Sequence, residues 1–276
     1  MSLGQQVSAL MREIAASVVM PRFRLLAEHE IAEKSPGEIV TSVDHEVERL
    51  LGEGLGAFGP CARLVGEEAV AQDPGLLGRI GEGLVWLVDP LDGTANYAAG
   101  RPPFGMMVAL VDDGEPVEGW ILDAITGRMC HARKGGGATC DGVPVRAPAS
   151  GREPPVAALG THFLSAGRRA RVHRVAERSL DVRPVPRCAA ESYPRLALGQ
   201  DDIALFQRIL PWDHAAGALF LTEAGGRATH WDGTPWRVGG AGRGMLAAAT
   251  PDLWRVAADL LLGVLAETAA NEEGIA

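Results

Sequence analysis

The sequence is poor in the features that mark several common protein classes. Aromatic residues account for 5% of its 276 residues, and its four cysteines are far apart, with no C-x-x-C pair. That spacing argues against a zinc site or a disulfide framework and is typical of reduced thiols. No apolar run approaches the roughly 18 residues of a membrane span, and no N-terminal signal pattern is visible. We therefore expect a cytoplasmic protein without membrane contact.

Basic residues are also scarce relative to acidic ones. Lysine and arginine together number 26 against 35 aspartates and glutamates, which gives a formal net charge of -9. This balance argues against nucleic-acid binding, which usually needs a basic face, but it allows a small anionic ligand held through a metal ion. A hydrophobic content of 47% is enough for a sizeable core, in one large domain or two closely packed ones.

Hydrophobic periodicity predicts helices in the first part of the chain and strands after them. Apolar residues at helical spacing predict a helix in residues 3–29, with a break or kink at Pro21. Glu33–Val40 contains a Pro-Gly pair and predicts a loop, and Thr41–Leu55 is again helical. Three strand-like runs within residues 105–145 are separated by turn dipeptides, which predicts an antiparallel meander.

Beyond the meander, short apolar strands alternate with helical stretches. Residues 147–155 are the best linker candidate, so we divide the chain into an N-terminal part, 1–150, and a C-terminal part, 151–276. The order of the elements indicates an α/β (α+β) protein in which layers of helix and sheet are stacked.

Two aspartates follow directly on an apolar run in the stretch LVWLVDPLDGTANYAAG, residues Leu84–Gly100. The carboxylates of Asp89 and Asp92 do not stabilise a buried strand, whereas they can bind a divalent metal ion. A helix beginning at Gly93-Thr94 would add free N–H groups suited to a phosphate. An Asx-type turn with a helix cap is the alternative, but a cap explains Asp92 only. The whole string therefore predicts a metal and phosphate site.

Three further stretches supply carboxylates of the same kind. They are LVGEEAV with Glu67 and Glu68, LPWDHAAG with Asp213, and IVTSVDHEVE with Asp44. Taken alone, the glutamate pair is typical of a solvated helix start, and Asp213 of an N-cap. Together with the two aspartates above, the set contains only oxygen donors, which suit Mg²⁺ or Mn²⁺ rather than zinc. The candidate ligands are the five carboxylates of Asp44, Glu67, Asp89, Asp92 and Asp213. Five exceed the needs of one ion and predict at least two, as in phosphoryl displacement.

The order and spacing of these motifs resemble a known family. GEE, then DPLDGTANY, then WDHAAG followed by EAGG, with KSPGEIVTSVDHEVE upstream, resemble the inositol monophosphatase family of magnesium-dependent, lithium-sensitive phosphatases. The resemblance implies the five-layered αβαβα sandwich of the inositol monophosphatase and fructose-1,6-bisphosphatase type, often as a homodimer. It also implies a phosphomonoesterase that hydrolyses a small phosphate ester with a metal-activated water.

The resemblance further implies two or three Mg²⁺ ions, with Mn²⁺ as the alternative. A third, weaker ion would lie near Asp44 and Glu67. The implied ligands of the first two ions are Glu67, Asp89 and the backbone carbonyl of Leu91 for one, and Asp89, Asp92 and Asp213 for the other.

Catalytic and substrate-binding roles are implied in the same way. Thr94, hydrogen-bonded to Asp44, would orient and deprotonate the attacking water. The predicted catalytic residues are Thr94, Asp44 and Glu67. The backbone N–H groups of Gly93 and Thr94 would bind the phosphate. The predicted substrate-binding residues are Asp92, Gly93, Thr94, Ala190, Phe206 and Asp213.

The residues that would contact the leaving group depart from the family pattern. Phe206 stands seven residues before Asp213, where inositol-specific members carry a glutamate that grips sugar hydroxyls. Arg187 and Cys188 occupy positions where glycine and serine are common, and Arg208 adds a second cation. These residues indicate a different leaving group with a second anionic group, unless the arginines are ordinary surface residues.

Several alternatives stay open on the sequence alone. The substrate can be inositol phosphate, histidinol phosphate, fructose 1,6-bisphosphate or a phosphoadenosine nucleotide. LDGT is similar to the D-x-D-x-T motif of haloacid dehalogenase-like phosphatases, but Pro90 stands where that motif places its nucleophile. A homologue that binds without catalysis is the third alternative, although such proteins tend to lose ligands. The expected partners are a small phosphate ester and a second copy of the chain, with no nucleic acid and no membrane.

Overall fold

Nine helices and 14 strands form in residues 1–35, 37–58 and 61–266, the part of the chain that a computed structural model describes. The helices are α1 (Leu3–Ile14), α2 (Met20–Arg22), α3 (Ser42–Phe58), α4 (Glu67–Gln72), α5 (Thr94–Ala98), α6 (Ala166–Ala176), α7 (Ala189–Ala197), α8 (Pro211–Glu223) and α9 (Pro251–Ala266). The strands are β1 (Ile31–Ser35), β2 (Glu38–Thr41), β3 (Arg63–Gly66), β4 (Leu84–Asp92), β5 (Gly105–Asp112), β6 (Glu115–Asp123), β7 (Met129–Arg133), β8 (Gly137–Cys140), β9 (Val143–Val145), β10 (Val156–Leu159), β11 (Asp181–Arg183), β12 (Ile203–Phe206), β13 (Arg227–His230) and β14 (Met245–Ala248).

The larger sheet has seven strands in the order β3-β4-β5-β6-β7-β8-β9. β3 runs parallel to β4 and every later pair is antiparallel, which confirms the predicted meander. Successive side chains of a strand point to opposite faces of a sheet. In β4, Val85 and Leu87 therefore pack into one core, while Trp86 and Val88 pack into another.

The smaller sheet has five strands in the order β11-β10-β12-β14-β13. β10 is parallel to β11 and β12, whereas β14 is antiparallel to β12 and β13. The same alternation applies here: Ile203 and Leu205 pack with α6 and α9, while Ala204 packs in the core shared with the larger sheet.

These faces define five layers. α1 and α3 cover one face of the larger sheet, α7 and α8 lie between the two sheets, and α6 and α9 cover the outer face of the smaller sheet. This is the αβαβα sandwich that the resemblance implied. A small residue lets α8 pack closely against α7, since a Cβ on Gly217 would lie 2.0 Å from the ring of Tyr193 in α7.

In the N-terminal segment, the structure refines one prediction and contradicts another. Regular α-helix is interrupted ahead of Pro21 by a π-helical turn, Ala15–Val19, which spares the ring a clash with an earlier carbonyl. The loop expected at Glu33–Val40 is wrong, because β1 and β2 pair there as an antiparallel hairpin with Ala32 opposite Val40. Turn residues mark only the tip of a hairpin, and Pro36 itself lies outside the described residues.

Core side chains from both sides of residue 150 share the layer between the sheets, and the division into 1–150 and 151–276 stays a prediction. The last ten positions of the C-terminal part, 267–276, lie outside the described residues. Within the described ranges, no helix combines the length and apolar character needed to cross a membrane.

Candidate functional site

A cleft of about 240 Å³ opens where β4 ends and α8 begins, and most of the predicted site residues line it. They are Glu67, Asp89, Leu91, Asp92, Gly93, Thr94, Phe206 and Asp213. The other two lie one hydrogen bond further back, Asp44 behind Thr94 and Ala190 behind Asp92. The fold thus brings together residues from both predicted parts of the chain.

Three carboxylates from different elements converge in this cleft. Glu67 is the first residue of α4, Asp89 lies near the end of β4, and Asp213 is the third residue of α8. One oxygen from each lies within 4.8 Å of the others, an arrangement that can hold a metal ion. Asp213 is not the N-cap that its local sequence favours, because Leu210 is the N-cap of α8.

Asp89 is fixed by a turn at the end of β4. Its Oδ1 accepts a hydrogen bond from the N–H of Leu91 at 3.0 Å, so the Asx-type turn considered from the sequence is present. The pairing of β4 with β5 is irregular between Asp89 and Asp92, where Pro90 has no N–H to continue it. The carboxylate is 2% exposed and lines the cleft, so the turn positions it without removing it from the site.

Asp92 is held by a helix that is distant in the sequence. Its Oδ2 accepts a hydrogen bond from the N–H of Ala190 at 2.5 Å, in the first turn of α7. Burial raises the pKa of Asp92, and the amide of Ala190 opposes that rise. The next residue, Gly93, has a φ of 84°, and a Cβ there would lie 2.9 Å from the carbonyl oxygen of Pro103. Only glycine fits this turn.

Thr94 and Asp44 form a hydrogen-bonded pair behind the cleft. Thr94 Oγ1 lies 3.1 Å from Asp44 Oδ1 and 2.8 Å from the carbonyl oxygen of Leu91, and its proton can be donated to either. Asp44 Oδ2 accepts from the N–H of Thr41 at 2.8 Å and from its hydroxyl at 2.6 Å. Asp44 is 1% exposed, and this burial raises its pKa to about 6.

Negative charge in the cleft is poorly compensated by the protein itself. Burial, reinforced by neighbouring carboxylates, raises the pKa of Asp89 and Asp213 well above their usual range. Burial also raises the pKa of Glu67 to about 7. Buried carboxylates hold protons until a cation compensates their charge. The donors are carboxylate and carbonyl oxygens, which Mg²⁺ and Mn²⁺ prefer, so the residues fit a divalent cation.

Two charged residues beside the carboxylates were missed by the sequence reasoning. Lys34 of β1 donates to Glu67 Oε1 at 2.9 Å and also to Glu68. Glu48 of α3 accepts from the N–H groups of Glu68 and Ala69, each at 2.8 Å, and so holds the start of α4. A carboxylate on the inner, apolar face of α3 was the available signal for Glu48. Nothing local marks Lys34, whose partners are 33 and 34 residues away.

Rings and cations also line the cleft. The ring of Phe206 stacks on Tyr193 with centroids 5.4 Å apart. Arg208 lines the cleft and forms an ion pair with Glu38 of β2. Arg187 also lines the cleft and is exposed.

Comparison with known proteins agrees with this geometry. A family model described as the inositol monophosphatase family matches residues 5–269. The inositol-1-monophosphatase of Mycobacterium leprae is 35% identical over 244 residues, covering 85% of this chain and 80% of that protein. The fructose-1,6-bisphosphatase/inositol-1-monophosphatase of Thermotoga maritima is 30% identical over 204 residues, covering 73% and 75%. The crystal structure of inositol monophosphatase-II from Staphylococcus aureus has a TM-score of 0.79 at 22% identity, over 98% of this chain and 97% of that one, which supports the fold alone.

Proposed function

Because the chain belongs to the inositol monophosphatase family, we propose that the cleft beside Asp89 hydrolyses a small phosphate monoester with bound divalent cations. As a member of that family the protein is a phosphatase that acts on phosphate monoesters. The observation that carries the proposal is the convergence of Glu67, Asp89 and Asp213, with one oxygen of each within 4.8 Å of the others.

Two or three Mg²⁺ ions are the proposed cofactors, with Mn²⁺ as the alternative. The residues that would hold them are Glu67, Asp89, Leu91 through its carbonyl, Asp92 and Asp213. Bound there, the cations would stabilise negative charge on the phosphoryl group and activate the attacking water. The raised pKa values of these carboxyl groups support the proposal, because a bound cation offsets the free energy of burying their charges.

The proposed proton path runs through Thr94 and Asp44. With its own proton donated to Asp44 Oδ1, Thr94 Oγ1 has lone pairs free to orient a water and accept one of its protons. Thr41 holds the other oxygen of Asp44, so the final acceptor stays in position. The backbone N–H groups of Gly93 and Thr94 are the proposed donors to the phosphate.

Magnesium-dependent release of inorganic phosphate tests this function. We expect turnover of at least one ester among inositol 1-phosphate, histidinol phosphate, fructose 1,6-bisphosphate and 3′-phosphoadenosine 5′-phosphate, and background rates with EDTA. Restoring the rate by adding Mg²⁺ back is the control for intact protein. No turnover of any ester at saturating Mg²⁺ would favour the non-catalytic alternative. A trapped phosphoaspartate would instead favour the haloacid dehalogenase-like mechanism.

Lithium inhibition is a second expected result. We propose that Li⁺ occupies the site of the second ion after turnover, where Asp213 is a ligand. Li⁺ should lower the steady-state rate of phosphate release, with Na⁺ as the control cation. Asp213→Asn should weaken the effect of Li⁺ on its residual activity. An inhibition constant that is the same in the variant and the wild type counts against this placement.

Four further properties are proposed on the resemblance and the composition. The protein is a homodimer, and its substrate-binding residues include Phe206 and Ala190, the latter through its hold on Asp92. Its compartment is the cytoplasm, in line with the exposed free thiol of Cys61. The chain is divided near residue 150.

A further inference from the structure

Charge is distributed unevenly along the cleft. Besides the acidic cluster where β4 ends, Glu38 is the one carboxylate among the described residues that line the cleft. Glu38 is neutralised by Arg208, and Arg187 adds a second guanidinium to the lining. In a chain with a net charge of -9, the lining residues outside the acidic cluster thus have an excess of positive charge.

Arg187 has a fixed backbone and an exposed side chain. Its φ of 56° lies in the left-handed region, which is strained for a residue other than glycine. The chain is tied on both sides, since the carbonyl of Pro186 accepts from Asn96 Nδ2 at 3.2 Å and Cys188 Sγ lies 3.7 Å from the carbonyl oxygen of Asp92. Among the described residues no carboxylate forms an ion pair with Arg187. Its charge is therefore available to a ligand.

Arg208 is the second cation, and a buried histidine fixes its backbone. His214 Nε2 lies 3.2 Å from the carbonyl oxygen of Arg208, so this nitrogen carries the proton, and Nδ1 accepts from the hydroxyl of Tyr193 at 2.7 Å. Burial lowers the pKa of His214 to about 4, so the ring is neutral at neutral pH. The side chain of Arg208 is 42% exposed, and an anion on a ligand can replace Glu38 as its partner.

Aromatic rings form the walls beside these cations. Phe206 stacks on Tyr193 at an interplanar angle of 17° and meets His214 edge-on at 4.9 Å, which fixes its ring. His162 and Phe163, with ring centroids 4.1 Å apart, also line the cleft, and Phe163 is 54% exposed. A phenyl ring offers no hydrogen bond to a sugar hydroxyl, so these walls favour a flat or apolar body over a polyol.

We propose that the substrate is the phosphate monoester of an alcohol that carries a second anionic group, a phosphate or a carboxylate, bound by Arg187 and Arg208. This inference rests on the proposed function and names its substrate class. The second anion replaces Glu38 at Arg208, and the body of the alcohol packs against Phe206. These contacts lie away from the bond that breaks, so their loss raises KM more than it lowers kcat.

Matched substrate pairs test the inference. Fructose 1,6-bisphosphate is compared with fructose 1-phosphate, adenosine 3′,5′-bisphosphate with adenosine 3′-phosphate, and 2-phosphoglycerate with glycerol 2-phosphate. In each pair, one member has an additional phosphate or carboxylate. In at least one pair we expect kcat/KM to be about 10- to 100-fold higher for the member with the second anion. The two phosphate pairs and the carboxylate pair distinguish the two kinds of anion.

Variants of the two arginines show whether they recognise that anion. Arg187→Gln and Arg208→Gln should each lower the ratio within the pair by about tenfold, mainly through KM, and Arg187→Lys should recover part of it. Glu38→Gln should raise the ratio, because Arg208 then has no internal partner. Arg49→Gln is the matched control, since Arg49 lies in an exposed ion pair on α3, outside the cleft, and leaves the ratio unchanged.

The outcomes separate this inference from the proposed function. Hydrolysis of the esters with a ratio near one in every pair overturns the inference and leaves the phosphatase function standing. A high ratio that neither arginine variant changes overturns it as well. If neither member of any pair is hydrolysed, the phosphatase proposal fails. Titration calorimetry with the same pairs and Mg²⁺ then gives the ratio of dissociation constants, and a ratio near one overturns the inference independently.

Discussion

Asp89→Asn is expected to lower kcat/KM for phosphate release by about a thousandfold or more, because Asp89 is the proposed ligand of both main cations. The same variant is expected to raise the melting temperature of the metal-free protein by a few degrees at pH 8. Asparagine keeps the Oδ1 acceptor for the N–H of Leu91 but removes a buried acid whose pKa is far above its usual range. Activity and stability should therefore change in opposite directions.

Phosphate-release kinetics and thermal melts in EDTA measure the two effects. Asp112→Asn is the matched control, because Asp112 ends the neighbouring strand β5 with an exposed side chain. It should change neither quantity. An Asp89→Asn enzyme with a tenth or more of the wild-type activity would show that the carboxylate is not an essential metal ligand. A melting temperature far below that of the wild type would mean that the side chain stabilises the fold.

In the metal-free protein, the free energy of unfolding is expected to fall as pH rises from about 4 to about 7. Asp44 and Glu67 have pKa values of about 6 and about 7 in the folded protein, above their ordinary values of 3.8 and 4.5. In this window the folded protein holds protons that the unfolded chain has released, so the free energy of unfolding decreases with pH. His214, with its pKa lowered to about 4, acts in the opposite direction but is one group against several carboxyl groups.

Mg²⁺ should reverse this loss of stability. A concentration a hundred times the Kd stabilises by about 2.7 kcal/mol, which corresponds to about 5–10 °C for a chain of this size. The increase should be larger at pH 8 than at pH 5, because protons and cations compete for the same carboxylates. Melts with EDTA or Mg²⁺ across this pH range provide the measurement, and Asp89→Asn should lose most of the Mg²⁺ effect. Metal-free stability that rises steadily between pH 4 and pH 7 would contradict the sign.

Sequence patterns were sufficient for the features that depend on neighbouring residues. The apolar runs and the turn dipeptides between them predicted the meander, and the family resemblance implied the layered fold. Both are confirmed. The residues proposed as ligands were also named from the sequence, and the fold brings Glu67, Asp89 and Asp213 together. Their motifs stand at the ends of helices and strands, and the family resemblance implied that these ends meet in one site.

Contacts between distant residues could not be predicted in this way. Asp92 was predicted as a metal ligand, with a local helix cap as the alternative, and neither interpretation includes its hydrogen bond from the N–H of Ala190, 98 residues later. Glu38 lay in a predicted loop, yet it belongs to a hairpin and pairs with Arg208, 170 residues later. Periodicity and turn residues report on local backbone conformation, whereas these contacts depend on how whole layers pack. The charge balance of the residues that line the cleft therefore required the structure.

Strand order also determines when the acidic cluster can form as the chain folds. From β4 to β9 each strand pairs with its neighbour in the sequence, so this sheet can grow by closing short loops. In the smaller sheet β12 lies between β10 and β14, and Asp213 follows β12 in α8, so that part depends on the closure of much longer loops. Electrostatic repulsion among the carboxylates consequently opposes a late step of folding, after the meander has provided the surface on which α8 docks.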